Sequence, residues 1–195
     1  MKKLLGILVL GLFLITPSQA DDIRDFQIEG ISVGDSALDY FSEDEIKNAY
    51  TNYYPKSRKF YQISFTVLES EIYKVVNINL KKNDDKYIIY AIKGLKNYDN
   101  RHKKCLEKNQ DLVNAILSIV KNTKEESYKS NFANNFGESF ATGSVFNMHN
   151  GTFTAFCSKW DKKNKKVKSA RWWDSLNASI AFSEWTDWID TEAYN

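Results

Sequence analysis

Residues 144–160, SVFNMHNGTFTAFCSKW, contain the strongest local structural signal in the chain. Two segments in which apolar and polar residues alternate, 144–149 and 152–160, flank the dipeptide Asn150-Gly151. Asn and Gly both tolerate the positive φ angles that a type I′ turn requires, so the pattern predicts a β-hairpin with that turn. A hairpin at this point makes antiparallel sheet the expected framework of the fold.

Further strand signals lie on both sides of this hairpin. Residues 60–67 are rich in aromatic and β-branched side chains, residues 74–81 alternate, and residues 83–85 (NDD) are typical of a turn. Residues 86–93 are therefore expected to return as the hairpin partner of the preceding strand. Residues 175–182 alternate again and predict one more strand beside the hairpin.

Helical signals separate the groups of strands. A short helix is predicted over residues 36–41, and a serine–glutamate capping box at residues 42–45 predicts the start of a second one. Apolar residues at helical spacing predict one long helix over residues 101–121. Ser183 is expected to be the N-cap of a final short helix over residues 184–189.

Three stretches have no clear periodicity. Residues 50–58 are predicted to be a linker, and residues 161–168 a lysine-rich loop. Residues 122–142 fit either an irregular helix or a long loop.

The resulting order of elements is αα-βββ-α-βββ-α. It indicates an α+β fold, with antiparallel sheet or sheets and one long helix packed on the sheet. The length of residues 21–195 is close to that of one ordinary domain. We therefore predict a single α+β domain over 21–195; the alternative is two small lobes divided near residues 122–142.

Residues 1–20 have the regions of a secretory signal peptide. The apolar run 4–15 follows two lysines, and Ser18 and Ala20 are the small residues expected before a cleavage site. The run is shorter than the roughly 20 residues that span a bilayer. Position 21 is Asp, whereas a lipid anchor would need Cys. We predict cleavage after Ala20, a periplasmic or secreted location, and no transmembrane segment after cleavage.

The charge balance bears on the class of partner. The chain has 27 Lys and Arg against 25 Asp and Glu, and cleavage removes Lys2 and Lys3, which leaves equal numbers. A strongly basic chain is typical of nucleic-acid binding, so no nucleic acid is expected as a partner.

The histidines do not support a metal or catalytic site. His102 and His149 are the only two, and they lack the spacing of known metal-binding motifs. No metal and no cofactor are expected. We interpret the chain as a non-catalytic periplasmic binding or envelope-associated module. The alternative is an envelope hydrolase acting on glycan or peptide, because catalytic triads assemble from residues distant in sequence.

The mature chain has two cysteines, Cys105 and Cys157. Two thiols in an oxidising compartment are expected to pair, and both lie on the apolar sides of their predicted elements. The disulfide would close a loop of about 50 residues, which contributes roughly 4 kcal/mol in the chain-entropy estimate.

A cationic and aromatic stretch near the C-terminus is the candidate binding surface. Six lysines lie within residues 159–168, and Trp172 and Trp173 are adjacent, so on an extended segment they point in opposite directions. The candidate residues are Trp160, Lys163, Lys166, Arg171, Trp172 and Trp173. The expected partner is an anionic or glycan component of the cell envelope; the alternative is a solvated loop that protects an edge strand.

Several segments also carry a family resemblance. They are residues 25–42 (DFQIEGISVGDSALDYFS), residues 86–90 (KYIIY), Cys105 at the beginning of a helix, residues 153–161 (FTAFCSKWD) and residues 185–188 (WTDW). In these segments the chain resembles a family of small exported proteins of marine alphaproteobacteria that has no established activity. The likeness extends over nearly the whole mature chain. It implies export and adds no chemistry.

Overall fold

The structure is a computed structural model that describes residues 22–66, 72–120 and 123–194. The predicted signal peptide and its cleavage site lie outside these residues. The strands are β1 (Tyr50–Tyr53), β2 (Phe60–Thr66), β3 (Val75–Lys81), β4 (Ile89–Asn97), β5 (Glu125–Asn131), β6 (Phe140–Met148), β7 (Gly151–Lys159) and β8 (Ser175–Phe182). The α-helices are α1 (Glu43–Asn48), α2 (His102–Ile119), α3 (Lys165–Ser169) and α4 (Ser183–Thr191), and 3₁₀ helices cover Ile23–Asp25, Ala37–Asp39 and Asn134–Phe136.

The described strands form one antiparallel sheet in the order β1-β2-β3-β4-β8-β7-β6-β5. Strands β1–β4 form one meander and β5–β8 another, and the two meet where β4 pairs with β8, with Ile92 opposite Ile180. The α+β class and the antiparallel sheet are confirmed. The predicted order of elements is wrong in detail, because each meander has four strands, α3 lies between β7 and β8, and the first predicted helix is a single 3₁₀ turn.

The two strands that the sequence did not predict are the edge strands β1 and β5. β1 lies in the stretch predicted as a linker, and β5 lies in the stretch predicted as an irregular helix or a loop. Both have mostly exposed side chains. A strand without a buried face shows no alternation of apolar and polar residues, and that alternation is what predicts a strand.

The hairpin of β6 and β7 is confirmed, but its predicted turn type is wrong. Met148 pairs with Gly151, so the connecting residues are His149 and Asn150, and of these only Asn150 has a positive φ, at 65°. A type I′ turn needs positive φ at both positions. Gly151 instead begins β7, and a Cβ at this position would lie 2.7 Å from Cγ2 of Ile23.

The larger core lies between α2 and one face of the sheet. Leu112, Val113 and Ile116 of α2 are buried with Ile78 of β3 and Ile180 of β8. The apolar side chains of the N-terminal residues 22–33 belong to the same core. The prediction of one long helix packed on the sheet is therefore confirmed.

α4 covers part of the opposite face of the sheet. Trp188 is buried there against Phe60 of β2, with ring centroids 4.9 Å apart, and its Nε1 donates to Oγ of Ser57 at 2.9 Å. Glu184 forms an ion pair with Lys81 of β3 at 3.0 Å. The sheet therefore lies between helices on its two faces.

The helix starts agree only partly with the sequence prediction. Ser42 and Glu45 form the predicted capping box at α1. Ser183 is not an N-cap, because β8 runs directly into α4 and Phe182 occupies that position. The predicted lysine-rich loop is partly helical: α3 begins at Lys165, and the side chain of Asn164 is its N-cap.

The predicted disulfide between Cys105 and Cys157 is present, with an S–S distance of 2.01 Å. Both cysteines are fully buried, and Tyr98 and Leu176 pack around them in a second small cluster. The disulfide joins the beginning of α2 to β7. A buried disulfide fits an oxidising compartment outside the cytoplasm.

Candidate functional site

The predicted binding residues lie at one end of the sheet. β7 ends at Lys159, and β8 begins at Ser175, which is hydrogen-bonded through its Oγ to Oγ of Ser158 at 2.7 Å. Trp160 therefore leaves the sheet beside the point where the segment of Trp172 enters it. The 3₁₀ helix Asn134–Phe136 and α3 pack together at the same end.

Four aromatic side chains form a connected cluster there. The ring of Trp160 stacks on Phe132 at 4.4 Å with an interplanar angle of 6°, and it lies 4.4 Å from the ring of Trp172. Phe136 completes the cluster, 5.0 Å from Trp172. Trp160 is half-buried, whereas Trp172 is 37% exposed. The cluster therefore has an inner tryptophan that supports it and an outer one that faces solvent.

Lysines of the same segment surround the cluster. Nζ of Lys166 lies 4.6 Å from the ring centroid of Phe136, which is within cation–π distance. Nζ of Lys162 donates to the backbone oxygen of Trp172 and pairs with Asp99, both at 2.7 Å. Lys163 and Lys166 are exposed. Lys162 thus holds the segment in place, while Lys163 and Lys166 present their charges to solvent.

Arg171 and Trp173 differ from the other predicted residues. Arg171 is exposed and has a φ of 54°, in the left-handed region, which reverses the chain between α3 and Trp172. Trp173 is half-buried and makes no ring contact with any residue that the structure describes. We call Phe136, Trp160, Lys163, Lys166, Arg171 and Trp172 the aromatic–lysine surface.

A buried carboxylate anchors this surface to the sheet. Asp174 is 3% exposed, and its Oδ1 accepts from the backbone N–H of Trp160 at 2.9 Å. Its backbone N–H donates to Oδ1 of Asp99 at 3.1 Å, and its backbone oxygen accepts from Tyr98 at 2.8 Å. Lys159 lies 3.9 Å from its other carboxylate oxygen. The segments that carry Trp160 and Trp172 therefore have a fixed base.

Phe132 and Phe136 are functional candidates that sequence reasoning missed. Both phenylalanines lie in residues 122–142, where the sequence predicted no definite structure. Large aromatic residues in this otherwise polar stretch were the sequence signal that could have indicated a contact site. Their contact with Trp160 and Trp172 could not be predicted, because it depends on the position of edge strand β5.

The two histidines do not converge on one site. His102 is half-buried with its ring edge toward Phe140 at 5.6 Å, where β6 begins, whereas His149 lies just beyond the other end of β6. Burial, and secondarily Lys159, lowers the pKa of His102. Within the described part of the chain, no group of three or more His, Cys, Asp or Glu side chains could hold a metal ion.

Residues 30–34 (GISVG) match the G-x-S-x-G pattern of hydrolase nucleophiles. Ser32 is 4% exposed, and its Oγ donates to the backbone oxygen of Phe26 at 2.7 Å. The motif requires an exposed serine on a sharp turn between a strand and a helix. Ser32 lies instead on a connection without such elements, and its hydroxyl has a structural role.

Comparison of the chain with protein-family models, with curated proteins and with solved structures gives no match. Among the helices that the structure describes, none is long and apolar enough to cross a membrane.

Proposed function

We propose that the protein is an exported, non-catalytic binding module whose aromatic–lysine surface contacts an acidic glycan of the cell envelope. The observation that carries this proposal is the exposed Trp172, which extends a cluster of aromatic rings bordered by Lys166. The aromatic contacts, with the anchor at Asp174, hold the ring in place before a partner binds.

The chemistry of this surface matches both parts of an acidic sugar polymer. The flat faces of aromatic rings pack against the C–H faces of sugar rings, and burial of an indole contributes a large apolar area. The exposed ammonium groups of Lys163 and Lys166 attract carboxylate or phosphate substituents. Loops held by a rigid scaffold commonly carry binding residues, and here the scaffold is the end of the sheet.

Export is part of the same proposal. The signal peptide in residues 1–20 and the buried disulfide both support a periplasmic or secreted location. In a bacterial host with a cell envelope, the mature protein should begin at Asp21, which N-terminal sequencing or intact mass measurement would show. A cytoplasmic protein that retains residues 1–20 would contradict the export proposal.

The alternative of an envelope hydrolase has less support from the geometry. His102 and His149 lie at opposite ends of β6, and this strand is about 27 Å long at roughly 3.4 Å per residue. The hydroxyl of Ser32 is already engaged with the backbone. None of these residues belongs to the aromatic–lysine surface.

The proposal can be tested with purified mature protein and polygalacturonate as an acidic glycan, with dextran as a neutral one. We expect saturable binding to polygalacturonate only, and weaker binding as salt increases, because ions screen exposed charges. Lys163→Glu with Lys166→Glu should weaken binding several-fold. The matched control is Lys103→Glu with Lys104→Glu on exposed positions of α2.

Trp172→Ala provides a second test of the same surface. Because Trp172 is partly exposed, we expect the variant to lose binding while its free energy of unfolding falls by less than about 1.5 kcal/mol. Trp188→Ala, at a fully buried position, should destabilise by about 3–5 kcal/mol. If Trp172→Ala and the paired charge reversals leave polygalacturonate binding unchanged, the surface has only a structural role.

A further inference from the structure

A row of polar side chains crosses the middle of the sheet on the face opposite α2. The strand register places Ser64, Asn77, Lys93, Ser179 and Thr154 side by side on β2, β3, β4, β8 and β7. Side chains directly opposite each other on antiparallel strands have Cβ atoms about 5 Å apart. Five neighbouring strands therefore present hydroxyl, amide and ammonium groups in one line.

On one side of this row, α4 and Tyr54 cover the same face of the sheet. Phe60 lies on the same face of β2 and packs on Trp188 of α4. The hydroxyl of Tyr54 donates to Oδ1 of Asn79 at 2.7 Å. The asparagine at position 79 is thus satisfied by the fold itself, whereas Asn77, two residues away on the same face, is not.

Asn77 has a buried amide with an unused acceptor. The residue is 7% exposed, and its Oδ1 has no hydrogen-bond partner among the residues that the structure describes. Leaving such a group unpaired destabilises the fold. A bound molecule with an N–H or O–H group would supply the missing hydrogen bond.

Lys93, directly opposite Asn77, is a cation with an unusual environment. It is half-buried and forms no ion pair or hydrogen bond within the described part of the chain, and burial lowers the pKa of its ammonium group. Glu184 of α4, on the same face, is already paired with Lys59 and Lys81. The positive charge of Lys93 is left for a ligand to neutralise.

We propose that this row binds a small monoanionic carboxylate that carries an N–H or O–H donor close to its carboxylate group. The carboxylate contacts Nζ of Lys93, the donor reaches Oδ1 of Asn77, and the hydroxyl groups of Ser179 and Thr154 complete the contacts. A single ammonium matches one negative charge, whereas phosphate sites commonly use guanidinium forks or several cations. The site is separate from the aromatic–lysine surface and does not rest on the function proposed for it.

The first experiment uses the unmodified mature protein with N-acetylglycine and glycolate as probes, and with neutral N-acetylglycinamide as the control compound. Calorimetry should show saturable binding of at least one carboxylate and none of the amide. In an NMR titration the backbone amides of Asn77, Lys93 and Ser179 should shift, while those of Trp160 and Trp172 should not. Absence of saturable carboxylate binding, or shifts that map elsewhere, would overturn the proposal.

Variants test the assignment of individual residues. Lys93→Met keeps the length of the side chain without its charge and should weaken carboxylate binding roughly ten-fold or more. Asn77→Ala should weaken it as well, whereas Lys82→Met, at an exposed turn position, should have no effect. Unchanged binding by folded Lys93→Met would refute the site. Should either variant fail to fold, the titration of the unmodified protein decides.

Discussion

At position 151 the packing of the backbone leaves no space for a side chain. Gly151 begins β7, and a Cβ there would overlap the backbone oxygen of Ala181 and approach Ile23. The glycine is thus required by the close approach of β8 and of the N-terminal segment to this position. The adjacent Asn150 provides the positive φ of the turn, which glycine also adopts easily.

We therefore predict different outcomes for substitutions at these two neighbouring positions. Gly151→Ala should lower the free energy of unfolding by about 2–3 kcal/mol, because the added methyl group overlaps the backbone of β8 and the side chain of Ile23. Asn150→Gly keeps the positive φ but loses the hydrogen bond to Asp22, so it should lower the free energy of unfolding by only about 1 kcal/mol. Urea unfolding of both variants checks this; equal effects would mean that the turn, and not the packing, requires the glycine.

Asp22 is a second residue with a local structural role. It is the N-cap of the 3₁₀ helix Ile23–Asp25, and it also accepts from Arg24 at 2.8 Å and from Nδ2 of Asn150 at 3.1 Å. The hydrogen bond from the side chain of Arg24 is the largest cause that holds the pKa of Asp22 well below its usual range. The residue connects the N-terminal segment to the β6–β7 turn.

The lowered pKa gives this contribution a defined pH dependence. The charged form stabilises the fold above the pKa of the unfolded chain, about 3.9, and the stabilisation is lost as the pH falls through the lower pKa of the folded state. Asp22→Ala should destabilise by about 1 kcal/mol at pH 7, and the difference from the unmodified protein should shrink below about pH 4. Asp22→Asn, which keeps a capping side chain, should have a smaller effect. A difference that stays constant down to pH 2 would contradict this account.

Among the elements, α2 and β7 are joined covalently as well as by packing. The disulfide spans a separation of 52 residues that includes β5, β6 and the whole of α2 after Cys105. Closing such a loop restricts the unfolded chain more than the folded one. The stabilisation therefore comes mainly from the length of the loop, since both cysteines lie in a core that α2 already covers.

We predict that the double variant Cys105→Ala, Cys157→Ala unfolds with a free energy lower by about 4 kcal/mol. Non-reducing mass spectrometry of protein expressed with residues 1–20 and purified without a reducing agent should find no free thiol. As a control, a reducing agent should destabilise the unmodified protein and leave the double variant unchanged. Two free thiols in the protein purified in this way would contradict the disulfide.

At the scale of the whole molecule, the pairing of β4 with β8 connects the two meanders. α2 follows β4 along the chain and packs on β6, β7 and β8, so it crosses from the first meander to the second. α4 follows β8 and reaches back to Phe60 of the first meander through Trp188. Each meander thus depends on contacts with the other for part of its buried surface.

This arrangement predicts one cooperative unfolding transition and supports the single-domain hypothesis for residues 21–195. The fluorescence of Trp160, Trp172 and Trp173 reports on the second meander, and that of Trp185 and Trp188 reports on the contact of α4 with the first, whereas far-UV circular dichroism reports on the secondary structure of both. The two signals should change at the same urea concentration. Separate midpoints, or proteolysis near residue 122 that leaves two folded halves after reduction, would favour two lobes.

Local patterns in the sequence determined much of the secondary structure. The alternation around residues 150–151, the helical spacing in residues 101–121 and the capping box at residues 42–45 all correspond to observed elements. Each of these signals comes from residues close in sequence, whose side chains must share one buried face or satisfy one helix end. The pairing of Cys105 with Cys157 followed from their number and the expected compartment.

The tertiary structure alone decided the features that depend on residues distant in sequence. Edge strands β1 and β5 form because the neighbouring strands offer hydrogen-bond partners to their backbones. This pairing does not require an alternation of apolar and polar side chains in the edge strand itself. The candidate sites have the same origin. Phe132 contacts Trp160 only because β5 pairs with β6 at the edge of the sheet. Lys93 lies opposite the unpaired amide oxygen of Asn77 only because of the register between β3 and β4. Burial and unsatisfied hydrogen bonds are properties of the assembled sheet, and no single segment of the sequence contains them.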